Sequence, residues 1–323
     1  MGALAFRRLQ MPRLYWVNDM MNISVGVEGQ YVLAILKDGK EKFRTDPFDN
    51  AITDAGMDLL GTDYTAANSN FLRYCRVRTL LTTPAVASQV CDADVTIQVE
   101  TTARYAYYDM TYTFPVGAAE GSIQYVETGT DPIAGVTFSQ TQVRDAKGSP
   151  VTVTVLSDEQ LVVRYQFRIY QPTVDLFNAS AGDYNAQVKT ANAGLVQIFG
   201  WYGKQSASGV GEPRNTFQPN GYTGTIAAAY TGGVGGIASV PTGLQASYTT
   251  PDVSYSADPY TPGTFYRRFK VSFSANVAND PSGVGAIAFA LGSAFFQVGF
   301  TPVMLKLDSL KLVFEFRLTW TQI

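Results

Sequence analysis

The sequence predicts an all-β protein made of two related β-sandwich units, an internal duplication, with one short helix and long loops rich in glycine and tyrosine. Three observations carry that prediction. The stretch LVVRYQFRIY (161–170) returns without gaps as LKLVFEFRLT (310–319), placing Tyr165, Phe167 and Ile169 on Phe314, Phe316 and Leu318 and placing Gln166 and Arg168 on Glu315 and Arg317. Apolar alternating with polar is the period of a strand with one buried face; on a helix the same rings would spread around the axis. Each such side chain contributes about 1.5–3 kcal/mol when fully buried, so the strand reading prevails in both copies. Second, charged residues make up only 16% of the chain while glycine reaches 29 residues, the usage of a β protein with many turns. Third, more of the order recurs: SPVTVTVL (149–156) matches TPVMLKL (301–307), MTYTF (110–114) resembles FKVSF (269–273), and IQYVE (123–127) stands where IAFAL (287–291) stands. Short strands in a repeated order imply two similar sandwich units, over about 105–171 and 264–321, either folded separately or lying against each other.

Taken along the chain, residues 1–45 read as an arm and a hairpin. Arg7, Arg8 and Arg13 among Leu14, Tyr15 and Trp16 suit an arm that docks on another protein, with an ordinary first strand as the alternative. In QYVLAILKDGKEKFRT the run Lys37-Asp38-Gly39-Lys40 predicts a hairpin turn. The first unit spans 46–172 and opens with a helix near 48–60, in which Ile52, Met57 and Leu60 share a face, Asp49 or Asn50 caps the start and Gly61 ends it. YCRVRTLLTTPA (74–85) reads as a strand. Residues 173–263 form a loop-rich excursion, whose Tyr222, Tyr230, Tyr248, Tyr255 and Tyr260 suit an adaptable interface. The second copy occupies 264–323. The uncharged stretch 282–305 is long enough to span a bilayer, but its alternation and the turn residues Gly292-Ser293 predict two buried strands and no membrane insertion.

Composition also removes chemistry. The chain has no histidine, which excludes Ser-His-Asp and Cys-His nucleophiles, His-ligated zinc and the HExxH helix. Basic and acidic residues number 24 and 27, so no nucleic-acid partner is expected. Cys75 and Cys91 lack CxxC spacing and a third ligand and read as buried free thiols; no loop has DxDxDG spacing, so no metal or cofactor is expected. A glycosidase needs only two carboxylates, but Asp158 and Glu159 fall in a predicted turn, and Asp92 and Asp94 sit at a strand start, so no enzyme is predicted. The Gly232–Gly236 cluster lacks the Lys-Ser or Lys-Thr of a phosphate loop. The N-terminal residues have no apolar core of signal-peptide length, so the expectation is folding in a cytoplasm. For sugar stacking the candidates are Trp201, Tyr202, Asn215 and Asp252.

The segments PFDNAITDAGMDLLG, YCRVRTLLTTPA, TYTFPVGAAEGSIQYVE and PVTVTVLSDEQLVVRYQFRIYQP together resemble a family of tail-associated structural proteins of tailed bacteriophages, best over 43–172 and more loosely in the second copy. Where the resemblance implies a glycine-rich turn after Tyr74-Cys75-Arg76-Val77, this chain has Arg78-Thr79-Leu80-Leu81. The resemblance implies a virion protein of the baseplate, tail tip or fibre attachment, made in the host cytoplasm. It would assemble with other phage virion proteins and as a homo-oligomer, and it carries no catalytic residues. The alternative is a carbohydrate-binding or receptor-binding module facing a host-surface glycan.

Overall fold

The computed structural model describes residues 14–16, 21–62, 71–92, 97–100, 102–103, 105–133, 135–170, 175–181, 184–189, 227–234, 241–247, 252–291, 294–306, 308–309 and 311–323. In chain order these form β1 (Leu14–Trp16), β2 (Met21–Lys37), β3 (Lys40–Arg44), β4 (Phe48–Asp49), β5 (Ala51–Ile52), α1 (Asp54–Gly61), β6 (Tyr74–Arg78), β7 (Ala87–Val90), β8 (Ile97–Glu100), β9 (Tyr105–Thr113), β10 (Gly121–Ile123), β11 (Tyr125–Gly129) and β12 (Thr137–Gln142). There follow β13 (Val153–Val155), β14 (Glu159–Tyr170), β15 (Asp175–Ala181), β16 (Tyr184–Lys189), β17 (Ala227–Tyr230), β18 (Leu244–Ser247), β19 (Val253–Ala257), β20 (Tyr266–Phe273), β21 (Val284–Leu291), β22 (Ala294–Met304) and β23 (Lys311–Gln322). The protein is all-β, built from stacked sheets.

The two echoed strands, β14 and β23, are flanks of one sheet. Its order is β19-β20-β23-β2-β14-β9-β8, and the long β2 joins the halves. Residues 26–37 of β2 pair antiparallel with β14, and residues 21–27 pair parallel with β23. Tyr165 lies opposite Tyr31 and Trp320 opposite Val25, so the apolar rows of both echoes point to the same side. On that side Leu161, Val163, Tyr165, Phe167 and Ile169 are buried, as are Leu312, Phe314, Phe316, Leu318 and Trp320.

Two smaller sheets stack on this buried face. The five-stranded sheet β5-β12-β11-β6-β7 covers the first half, where the ring of Phe138 lies 4.6 Å from that of Phe71 and 5.2 Å from that of Phe167. The four-stranded sheet β18-β17-β21-β22 covers the second, with Phe289 4.3 Å from Phe316 and Phe300 5.4 Å from Phe314. Each half is thus a sandwich, and the halves share one sheet.

The hairpin at Lys37-Asp38-Gly39-Lys40 forms as expected, with Asp38 and Gly39 at φ of 52° and 74°, the left-handed pair whose twist matches the flanking strands. The 282–305 stretch forms β21 and β22, paired antiparallel, with Gly292-Ser293 outside the described residues. No helix among the described residues is long and apolar enough to cross a membrane.

Other expectations need correction. The helix starts at Asp54, not near 48, because Phe48 and Ile52 are buried as the anchors of β4 and β5. Its cap is Thr53, whose hydroxyl accepts from the Gly56 N–H at 2.9 Å; Asn50 is buried, and Asp49 accepts from the Gln30 amide. Strand β6 stops at Arg78, seven residues before Ala85: the Thr83 N–H closes a turn on Leu80 O, and the Arg78 guanidinium holds Thr83 O. The sequence match of Met110 with Phe269 is two residues out of step with the ladders, where Tyr108 faces Phe167 as Phe269 faces Phe316. Val153–Val155 pairs with β10, whereas 301–304 closes β22 on β21, so the upstream match does not correspond in space. The 173–263 stretch contains β15 to β19. In β17 all four residues are buried, so the alternation that marks a one-faced strand is absent. Of its tyrosines, Tyr230 is buried and Tyr255 and Tyr260 pack on the core; Tyr222 and Tyr248 lie outside the described residues.

Candidate interaction surfaces

Arg7, Arg8 and Arg13 lie outside the described residues. Tyr15 and Trp16 fall in β1, which pairs in parallel with Leu312 and Val313 along the same edge of β23 that receives β2 further on. Trp201, Tyr202 and Asn215 also lie outside the described residues. Asp252 is exposed, at φ 79°, and its carbonyl accepts from Ser274 N at 2.9 Å, extending the β19–β20 ladder at the end away from their connecting loop. It has no described partner among the sugar-stacking candidates.

Of the carboxylates weighed for catalysis, Asp158, Glu159 and Asp92 are engaged in ion pairs or hydrogen bonds. Asp158 pairs with Lys37 at 2.7 Å, and Glu159, whose side chain is fully covered, takes Lys42 Nζ and the Leu156 N–H. Hydrogen bonds from Lys42 and from that backbone N–H hold the Glu159 carboxyl below its ordinary range. Asp92 accepts from Thr113 N at 2.8 Å; Asp94 is outside the described residues. Cys75 and Cys91 are buried and are not joined in a disulfide.

The side of the main sheet away from the smaller sheets carries an ordered set of side chains. Register places Gln98, Tyr107, Arg168 and Glu28 in one row and Glu100, Tyr105, Tyr170 and Gly26 in the next. Tyr105 lies 5.7 Å from Tyr107 and 5.1 Å from Tyr170, ring centre to ring centre. The Arg168 guanidinium sits 4.9 Å over the Tyr105 ring, and donates to Gln30 Oε1 at 2.6 Å and Gln166 Oε1 at 2.5 Å, with Glu28 at 3.3 Å. Tyr170 donates to Glu28 at 2.5 Å and Tyr107 to Gln98 at 2.6 Å. Burial raises the pKa of both hydroxyls, and the Asp109 charge adds to the effect on Tyr107. Across β2 the motif recurs: Arg317 sits 3.8 Å over Tyr266, and Lys270 pairs with Glu315 at 2.9 Å.

A second constellation binds the halves together. Helix α1 packs so close to β12 that a Cβ on Gly56 would lie 2.1 Å from Phe138 O. From the other half, Trp320 Nε1 donates to Met57 O at 2.9 Å, Arg267 Nη1 to Gly61 O at 2.7 Å, and Tyr260 and the Gly263 N–H both donate to Asp58 Oδ1, at 2.6 and 2.7 Å. Burial, followed by the hydrogen bond to Asp58, raises the Tyr260 pKa. Gln322 adds a reciprocal pair, accepting from Ile52 N and donating to Asn50 O.

Neither constellation was singled out from sequence. The signal for the first was present in YAYYDMTYT, where Tyr105, Tyr107 and Asp109 hold alternate positions opposite the polar row of the first echo. The second had no local signal, because its donors come from about 200 residues downstream. Comparison with family models, with curated proteins and with solved structures found no match to this chain.

Proposed function

We propose that the chain is a structural protein of a bacteriophage tail, in the baseplate, tip or fibre attachment, acting by assembly with other virion proteins and with further copies of itself, and not by catalysis. The resemblance over 43–172 motivates the reading. The observation that supports it best is the α1 clasp, in which four donors from the 260–320 region grip a helix of the first half. Together with the shared β2 it ties two sandwiches into one plate. A plate of fixed shape suits a part that must present the same surfaces to every neighbour, because little conformational freedom remains to be lost on binding.

The test is mass spectrometry of gradient-purified phage particles from cells making the protein, together with sedimentation of the purified chain. The reading expects the chain in the particles and a defined oligomer in solution. Absence from the particles combined with a stable monomer overturns it. The second reading, a carbohydrate-binding or receptor-binding module, is supported by the tyrosine face.

A further inference from the structure

We infer that the outward face of the main sheet around Tyr105, Tyr107 and Tyr170 is a binding site for a neutral, pyranose-containing glycan. The aromatic part is in place: three half-buried rings on adjacent strands, with Tyr105 beside both Tyr107 and Tyr170. Neighbouring strands lie about 4.8 Å apart and alternate residues about 6.7 Å apart, so the cluster spans the footprint of one or two sugar rings; the Tyr107 and Tyr170 rings are inclined 65° and 53° to that of Tyr105, so the C–H faces of a sugar stack on individual rings of the cluster. Polar groups stand beside them. Arg168, Glu28, Gln30 and Gln98 interleave with the rings and are already fixed by hydrogen bonds to one another or to the tyrosines, so binding a sugar freezes few rotamers.

Charge selects the class of ligand. Arg168 is matched by Glu28, and Arg164 by Asp109 at 2.6 Å, while Glu100 and Asp49 border the same face, so among the described residues of this face no excess positive charge awaits a sulfated or carboxylated partner. A ligand rich in hydroxyls and without net charge gains the stacking and the hydrogen bonds without breaking these pairs. The proposal does not depend on virion assembly: a monomeric chain absent from phage particles would bind the same sugar.

The test uses the full chain with maltoheptaose, cellohexaose and chitohexaose as neutral probes and a hyaluronan oligosaccharide as the anionic one. It is followed by saturation-transfer NMR and titration calorimetry. At least one neutral probe is expected to bind, with saturation reaching its ring C–H protons. Tyr105→Ala and Tyr107→Ala should each weaken that binding about tenfold, and Tyr105→Phe should retain it. Should the alanine variants fail to fold, nitration of the native chain by tetranitromethane decides: the bound oligosaccharide is expected to shield Tyr105 and Tyr107. Three silent neutral probes, a preference for hyaluronan, affinity unchanged in the folded alanine variants, or nitration unaffected by a bound sugar would each overturn the proposal.

Discussion

Gly29 occupies an inward position of β2, between Val27 and Tyr31, where a Cβ would meet Asn50 Oδ1 and the Tyr165 hydroxyl, both at 2.2 Å. Gly29→Ala should therefore destabilise the chain by about 1–3 kcal/mol, read as a lower denaturant midpoint at constant slope. Combining it with Tyr165→Phe, which removes one of the clashing atoms, should recover part of the loss. Glu127 is buried between Arg76 and Arg78: it accepts from Arg78 Nε at 2.7 Å, and Arg76 Nε lies at the same distance but off the line of a hydrogen bond. Glu127→Gln leaves two covered guanidinium groups without their counter-charge and should cost about 3 kcal/mol by the same measurement. Lys306 behaves differently. Its ammonium donates to Asn279 Oδ1 at 2.6 Å and Ala275 O at 3.2 Å, and burial pulls its pKa down to about 8 against an opposing pull from Asp308. Between that value and its unfolded value of about 10.4, the unfolded chain holds more protons, so stability rises with pH across the window, while the penalty is complete below it. The stability of the native chain relative to Lys306→Met should thus increase from pH 7 to pH 10.

At the scale of elements, α1 has only eight residues and is too short to persist alone, so its cap and its clasp carry it. Thr53→Ala should cost about 1 kcal/mol. Trp320→Phe keeps an aromatic ring but removes the indole donor to Met57 O, and should cost about 1 kcal/mol, with faster amide exchange in 54–61 as the specific sign. These elements show what a sequence discloses. Strands β14 and β23 were legible because one face of each is buried, which writes an alternation into the chain, and the hairpin at Asp38-Gly39 was legible because its backbone admits few residues. Strand β17 was not legible, since AAAY is buried throughout and carries no period. The helix start was misplaced because Asn50 and Thr53 are both good caps, and only the burial of Phe48, Asn50 and Ile52 decides between them. The tyrosine face could be read as alternation but not as a surface, because its rows exist only once β8, β9, β14 and β2 are in register.

For the whole molecule, the echo between β14 and β23 places the same arrangement on both sides of β2: an inward apolar row and an outward arginine over a tyrosine. The two strands run in opposite directions, antiparallel and parallel to β2. Such an arrangement could still be two bodies joined by a strand; the clasp of α1 by Trp320, Arg267, Tyr260 and Gly263 makes it one. The assembly reading rests on that unity, since a body that hinged at β2 would not present fixed surfaces to its neighbours. Native-state hydrogen exchange resolved along the chain tests it most directly. The account predicts that the amides of β14 and β23 exchange through a single global opening with equal free energies. Opening of 253–323 at a distinctly lower free energy, with β9 and β14 still protected, would contradict it.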